Sequence, residues 1–394
     1  MKRVLVFSLA YFPHVGGAEI ALREITDRIR DIEFHIVTLR FGGEAREERI
    51  GNALVHRIGA GSSYVQKILF VPRAAREAMR LHRERPFDAF WAMMSYMLFP
   101  IVLLRRRGIS LPYLLTLQEG DPFEHVFNRL RIMPFRPLLA SGFRNAAAVQ
   151  AISSFLARWA MRAGFHGTPD VIPNGVDTAR FSRRYAPEEI DASKRDLGKV
   201  KNDVFLVTTS RLVRKNAIDD VIRALPLLPE NVHFVVYGIG PDEAILKGLA
   251  AELGVADRVR FMGQIGHDEM SLALAARDIF IRPSRSEGMG NSFIEAMAAG
   301  LPVVATQEGG IADFLFDAKR NPGEETTGWA VDKDSPEQIA GAVEDILARP
   351  EEVARVTAAA KRMALEKYDW DLIAREMRAA FDRVFASRAS GAGV

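Results

Sequence analysis

At 394 residues, 48% hydrophobic and 26% charged, the chain has the composition of an ordinary soluble globular protein and enough length for two cores. It contains no cysteine, which excludes disulfides, thiol chemistry and thiolate metal sites and is in keeping with a cytosolic protein. The net charge of +3 hides an asymmetry: residues 1–180 carry 25 Lys and Arg against 16 Asp and Glu, about +9, leaving about −6 for the remainder.

In chain order, Met1-Lys2-Arg3-Val4 runs straight into a strand, and no signal-peptide pattern is visible. The first half predicts strands at 3–9, 34–39, 53–58, 87–93, 113–117 and 147–152. Helical patterns lie between them, such as 17–30, where Ala18, Leu22, Ile25 and Ile29 make an apolar stripe. That alternation predicts a parallel sheet wrapped by helices. The uncharged run 89–104 contains Pro100 and falls short of the roughly 20 apolar residues of a spanning helix, so it reads as a buried strand followed by a helix.

Arg73, Arg76, Arg80 and Arg83 fall at spacings that share one helix face. The segment 125–169 has six arginines and no acid, interleaved with apolar Val126, Phe127, Leu130, Ile132, Met133 and Phe135. Solvated helix faces are one reading. The other is a basic surface for anionic lipid head groups or a phosphate-bearing acceptor. Nucleic acid is a poorer match, because no binding motif accompanies the charge.

A polar stretch from 178 to 202 reads as a linker and an extension of the second domain. Strands then recur at 204–209, 232–237, 258–262, 278–281 and 302–305. A last amphipathic helix carries Trp370, Ile373, Met377, Phe381 and Val384, and must pack against something. The expected domains are therefore 1–178 and 203–368, both Rossmann-like, joined by a linker at 179–202. Helix 369–388 follows them. Such domains bind ligands outside the carboxyl ends of their strands.

The most informative stretch is Arg282-Pro283-Ser284-Arg285-Ser286-Glu287-Gly288-Met289-Gly290-Asn291-Ser292-Phe293-Ile294-Glu295. It follows a short apolar strand and opens a helix near Asn291, which Gly300-Leu301-Pro302 ends. A glycine-rich strand-to-helix turn offers free N–H groups and the positive end of a helix dipole, which suits phosphate. Glu295, about one turn into the helix, can accept from a ribose diol, and Glu287 can reach the sugar or its phosphate. Taken alone, two acids at a helix start are merely favoured by its dipole.

Followed by Glu295-Ala296-Met297-Ala298-Ala299-Gly300-Leu301-Pro302, these two glutamates resemble the signature of the family 4 retaining glycosyltransferases (group 1 glycosyl transferases). Gly16-Gly17-Ala18-Glu19, Ile172-Pro173-Asn174-Gly175, Ser210-Arg211 through Lys215, Tyr237-Gly238-Ile239-Gly240, Phe261-Met262-Gly263 and Glu308-Gly309-Gly310 fit the same family in the same order. The resemblance covers nearly the whole chain. It implies the GT-B fold: two doubly wound parallel-sheet α/β domains facing across a cleft. The N-terminal domain would serve the acceptor and the C-terminal one the nucleotide sugar, with the last helix crossing back onto the first.

It also implies roles. Arg211 and Lys215 grip the donor diphosphate, where fixed cations stabilise the charge that develops on departure. Glu287 contacts donor sugar and phosphate, and Glu295 holds the ribose. Gly288, Met289, Gly290, Asn291 and Ser292 supply donors to phosphate and sugar. Gly263, Gln264 and Ile265 lie near the base. Gly16 and Gly17 border the phosphate and acceptor, with Glu19 in the first helical turn. The family usually has glycine after the lysine, where this chain has Asn216, a residue that tolerates left-handed backbone. It commonly has a sugar-contacting histidine where this chain has Gln118, followed by Glu119 and Asp121. Glutamine cannot titrate near neutrality, which argues against general-base work there. In the family's favoured mechanism the departing phosphate deprotonates the acceptor.

No metal or other cofactor is expected, and the donor is a UDP- or GDP-sugar. Asp369 and Asp371 have metal-like spacing, yet they start a helix, where capping explains them. The expected acceptor is a glycan, a lipid-linked sugar or a small sugar, met in the cytoplasm or at the inner face of a membrane. A glycoside hydrolase would have no use for Arg211, Lys215 and the glycine turn. A dehydrogenase lacks the third glycine after Gly238 and Gly240. A sugar-nucleotide-binding protein without turnover is the remaining alternative, and Gln118 is its support.

Overall fold

A computed structural model of the chain describes residues 1–389 except Val15, Arg131, Lys199 and Lys201. The chain divides into two units, residues 1–175 together with the stretch from Trp370 onward, and Val176–Asp369.

In the first unit, β1 (Lys2–Phe7), β2 (Ile32–Leu39), β3 (Glu47–Ile50), β4 (Ala53–Ile58), β5 (Ala89–Met93), β6 (Tyr113–Leu117), β7 (Ala148–Ala151) and β8 (Asp170–Val171) form one sheet. Its order is β3-β4-β2-β1-β5-β6-β7-β8. Every neighbouring pair is parallel except β3–β4. The wrapping helices are α1 (Gly17–Arg28), α2 (Tyr64–Glu84), α3 (Leu98–Arg106), α4 (Phe123–Phe127), α5 (Arg136–Arg144) and α6 (Ser154–Arg162). Strands β5 and β6 are buried along their whole length, because helices cover both faces of a parallel sheet and leave no polar side. The sequence reading missed β3. Glu47, Glu48 and Arg49 show no apolar alternation, and the strand exists as a polar edge folded back on β4.

In the second unit, two short helices come first, α7 (Thr178–Phe181) and α8 (Pro187–Asp196). They lie within the stretch expected as a linker and pack on later helices of the same unit. Strands β9 (Val204–Thr209), β10 (Val232–Tyr237), β11 (Val259–Gly263), β12 (Ile279–Arg282), β13 (Val303–Ala305) and β14 (Trp329–Ala330) form a parallel sheet in the order β11-β10-β9-β12-β13-β14. Helices α9 (Ile218–Ala224), α10 (Glu243–Glu252), α11 (His267–Ala275), α12 (Asn291–Ala299), α13 (Pro336–Ala348) and α14 (Pro350–Lys367) wrap it. Both sheets are thus Rossmann-like.

The last helix, α15 (Trp370–Ala389), returns to the first unit. Trp370, Ile373, Met377, Phe381 and Val384 are buried in the same core as β1, β2 and β5. The Phe381 ring lies 5.1 Å from Trp91 and 5.8 Å from Phe34. Each such side chain contributes roughly 2–3 kcal/mol by leaving water, which is why an amphipathic helix so far along the chain docks here. Among the described residues, no helix is long and apolar enough to cross a membrane.

Candidate functional site

In the second unit, the strand order sets five loops side by side at the carboxyl end of the sheet. From the edge inward these are 264–266 after β11, 238–242 after β10, 210–217 after β9, 283–290 after β12 and 306–308 after β13. Arg211, Lys215, Glu287 and Glu295 all lie on or just after the adjacent β9 and β12 loops. Gly263 ends the edge strand β11 and Gln264 and Ile265 follow it, joined to the next loop where Gly238 N–H donates to the Gly263 carbonyl at 2.7 Å.

The two central loops are bonded to each other. Arg285 N–H donates to the Lys215 carbonyl at 2.7 Å, and its guanidinium reaches the Arg214 carbonyl at 2.7 Å. The same guanidinium binds Asp219 at 2.9 Å, Asp220 at 2.8 Å and Asp334 at 2.6 Å. Burial pushes the Asp220 carboxyl up to about 6, and Asp219 adds to it while Arg285 opposes it. Asn216 is buried and donates to the Arg211 carbonyl at 2.7 Å. Where the family commonly has glycine, this chain therefore uses a side chain to close the loop. The left-handed residue is the next one, Ala217, at φ 54°.

Glu287 is half-buried, and the 309–310 segment presses against its backbone. Gly310 N–H donates to the Glu287 carbonyl at 3.1 Å. A Cβ on Gly309 would lie 1.9 Å from that oxygen, so only glycine permits the approach. Gly288 and Met289 are buried, Gly290 is half-buried, and Asn291 and Ser292 open α12. Glu295, one turn in, has its carboxyl pushed up to about 7 by burial, opposed by Arg282 and Arg180. Neither arginine was picked out from sequence. Arg180 sits on α7 in the supposed linker, where no motif marks it. Arg282 opens the informative stretch but reads as an ordinary strand end.

The first unit holds Gly16, Gly17 and Gln118. Gly16 and Gly17 are exposed at the start of α1, and Gly16 N–H donates to Glu19 Oε2 at 2.8 Å. Glu19 is thus a capping residue, its carboxyl pushed up by burial. Gln118 forms a reciprocal amide pair with Asn174, both bonds 3.0 Å. The residue in the histidine position is tied to the Ile172-Pro173-Asn174 segment. Glu119 is buried behind it and accepts from Ser95 N–H at 2.6 Å and Gln118 N–H at 3.0 Å. Burial raises its carboxyl pKa. Asp121 pairs with Arg129 at 3.7 Å.

The charged face of α2 is not uniform. Arg73 donates to Gln66 at 2.6 Å, and Arg80 pairs with Glu77 and Glu84, both at 2.6 Å. Arg76 and Arg83 stand exposed. A cavity of about 730 Å³ beside this helix is lined by Arg46, Arg57, Arg73, Arg76 and Arg80 with Glu47, His56 and Glu77. Among the described residues, Glu47, His56 and Glu77 alone come close enough together to hold a cation, but the Arg80 guanidinium already binds both carboxylates. Asp369 and Asp371 face different partners, Thr178 at 2.5 Å and Arg28 at 2.6 Å.

Residues 15–180 match the family described as Glycosyltransferase Family 4, and residues 189–363 match Glycosyl transferases group 1. The chain is 28% identical over 391 residues to the GDP-mannose-dependent alpha-(1-6)-phosphatidylinositol monomannoside mannosyltransferase of Mycobacterium tuberculosis. That alignment covers 96% of this chain and 97% of the relative. A Corynebacterium glutamicum enzyme, the GDP-mannose-dependent monoacylated alpha-(1-6)-phosphatidylinositol monomannoside mannosyltransferase, is also 28% identical, over 95% of this chain and 97% of its own. The solved sucrose-phosphate synthase of Thermosynechococcus elongatus shares the fold, with a TM-score of 0.83 over 98% of this chain and 100% of that one, at 19% identity.

Proposed function

The chain belongs to the group 1 (family 4) glycosyltransferases and has their GT-B fold, and on that premise we propose that it moves a hexose from a nucleotide diphosphate sugar to a lipid-borne hydroxyl with retention at C1. The relatives that use GDP-mannose make that donor the first choice over UDP-sugars. The observation that carries the reading is the bonding of the Arg211–Lys215 loop to the Glu287 loop through Arg285. It joins the loop that carries Arg211 and Lys215 to the loop that carries Glu287, and this supports the reading because a nucleotide sugar needs cations and carboxylates held near one another.

In this reading Arg211 and Lys215 hold the diphosphate and take up the charge of the leaving group without a metal. The N–H groups from Gly288 to Ser292 bind phosphate and sugar. Glu287 orients the sugar, Glu295 accepts from the ribose diol, and Gly263 to Ile265 border the base. The C1–phosphate bond breaks as the acceptor oxygen bonds to the same face, and its proton passes to the departing phosphate oxygen. Gly16, Gly17 and Gln118 serve the acceptor-side domain.

We assign the lipid contact to α2. Tyr64, Val65 and Ile68 in its first turns are exposed at 51%, 60% and 55%, ahead of Arg76 and Arg83. An apolar patch beside free cations suits the surface of an anionic bilayer.

The test is a thermal-shift and sugar-release panel with GDP-mannose, UDP-glucose and an ADP-sugar on native protein and Glu295→Ala. GDP-mannose should raise the melting temperature by mass action, release mannose slowly, and do neither in the variant. No shift with any donor would overturn the reading. A second reading, donor binding without turnover, is favoured by the Gln118–Asn174 pair, which leaves no titratable group at that place. A shift with neither release nor transfer to phosphatidylinositol mannoside would select it.

A further inference from the structure

Beneath the β12–α12 loop lies a charge that the proposed donor contacts do not use. Arg282, the last residue of β12, is only 5% exposed, and arginine is almost never buried so deeply unless it is paired. The three residues before it, Ile279, Phe280 and Ile281, are buried and apolar, so packing alone would be met by another aliphatic side chain. Removing a guanidinium from water is expensive and needs fixed partners to offset it.

Those partners come from three pieces of the site. Arg282 Nη1 donates to the Thr209 carbonyl at 3.1 Å, at the end of β9, and to Ser292 Oγ at 2.9 Å, in the first turn of α12. Nη2 donates to Glu287 Oε2 at 3.2 Å. The guanidinium lies 4.2 Å from the centre of the Phe293 ring, a cation–π contact that holds its plane. Gly290 is shaped by the same group. A Cβ there would stand 2.8 Å from Arg282 Nη2 and 2.6 Å from Phe293, at a φ of +89°. The glycine that opens α12 therefore makes room for the arginine as well as for a ligand.

We infer that Arg282 is a positioning residue for sugar transfer, fixing the direction of the Glu287 carboxylate against β9 and α12 before the donor arrives. The inference rests on reading Glu287 as a donor contact. A loop acid held by one donor of a buried guanidinium that is itself anchored on β9 and α12 has less orientation to lose when the nucleotide sugar binds, and preorganisation of this kind is where such residues act. The second glutamate feels the same charge. Glu295 is faced by Arg282 from β12 and by Arg180 from α7, and both draw its carboxyl down from the value burial would set.

The experiment is a double-mutant cycle, with GDP-mannose as donor and mannose release as readout, on native protein, R282M, E287Q and R282M/E287Q. R282M should lower kcat about 10²-fold, with a smaller change in donor KM at pH 8. The double variant should be no slower than E287Q alone, because both changes remove one interaction. R282M should also move the acidic limb of donor affinity to higher pH, since Glu295 loses one of its two cations. Losses that multiply in the double variant overturn the inference, as does R282M with native kcat beside an impaired E287Q. Native kcat in E287Q overturns the reading of Glu287 itself, and the inference with it. If R282M fails to fold, R282K carries the cycle. It keeps the charge without the fork, and its smaller loss should vanish on the E287Q background.

Discussion

Arginine serves opposite ends on the α2 face of the first unit and at the β12 loop of the second. On α2 of the first unit, Arg76 and Arg83 stand in solvent and Arg80 is matched by surface acids. At the β12 loop of the second, Arg282 is buried and Arg285 half-buried, and both are held by named partners. An exposed pair contributes roughly 0–1 kcal/mol and exchanges readily, whereas removing one member of a buried pair costs roughly 3–5 kcal/mol. Charge on α2 is thus free to meet an outside anion. Charge at the β12 loop is spent on shape, tying that loop to β9, to α12 and to the loop after β9.

The largest break in this contrast should come from Arg285→Met, which leaves Asp219, Asp220 and Asp334 facing one another. We expect a loss of roughly 3 kcal/mol at pH 8 by urea unfolding. The loss should shrink toward pH 5. The Asp220 pKa is already raised in the folded state, so the folded state is penalised as pH rises through that value and relieved below it. A loss independent of pH would mean that Arg285 acts by packing alone.

The α2 face comes next. Arg76→Gln with Arg83→Gln should weaken binding to anionic liposomes roughly tenfold to thirtyfold, at about 1 kcal/mol per cation near the surface. Changing Arg80 as well should add little, because Glu77 and Glu84 already offset its charge. Equal affinity for neutral and anionic vesicles would remove this face from the lipid contact.

Glu295 gives a third test. In the proposed reading its ionised form would accept from ribose, so GDP-mannose affinity should rise as pH increases through about 7. Its raised pKa also penalises the unliganded folded state, from about its unfolded value upward to about 7. Glu295→Gln should therefore gain in melting temperature over native protein at pH 8 and lose that gain toward pH 4.5. A constant difference across this range would refute the shift. The smallest effect is expected at Gln118→Ala, about 1 kcal/mol of stability for a lost amide pair, with donor affinity nearly unchanged. A donor affinity that collapsed instead would make Gln118 part of the donor site.

Much of this was legible in the chain. Continuous apolar runs such as Val4 to Phe7 and Phe205 to Val207 gave the strands, since a parallel sheet covered on both sides leaves no polar face to confuse the pattern. The ordered motifs gave the family, the fold and the residues of the β9 and β12 loops. Where the signal was local and apolar it sufficed. It failed at β3, whose polar residues pair only because β4 lies beside them, and at 178–196, where short helices are too polar to stand out.

What the tertiary structure alone decided is which charges meet. That Arg282 reaches Glu287, Arg285 reaches Asp219 and Asp220, and Arg180 approaches Glu295 follows from strand order and loop packing, not from spacing along the chain. Sequence fixes a charge and its local backbone. Whether that charge faces water or a partner depends on which loops the sheet sets side by side, and the energetic difference between those two fates is several kcal/mol.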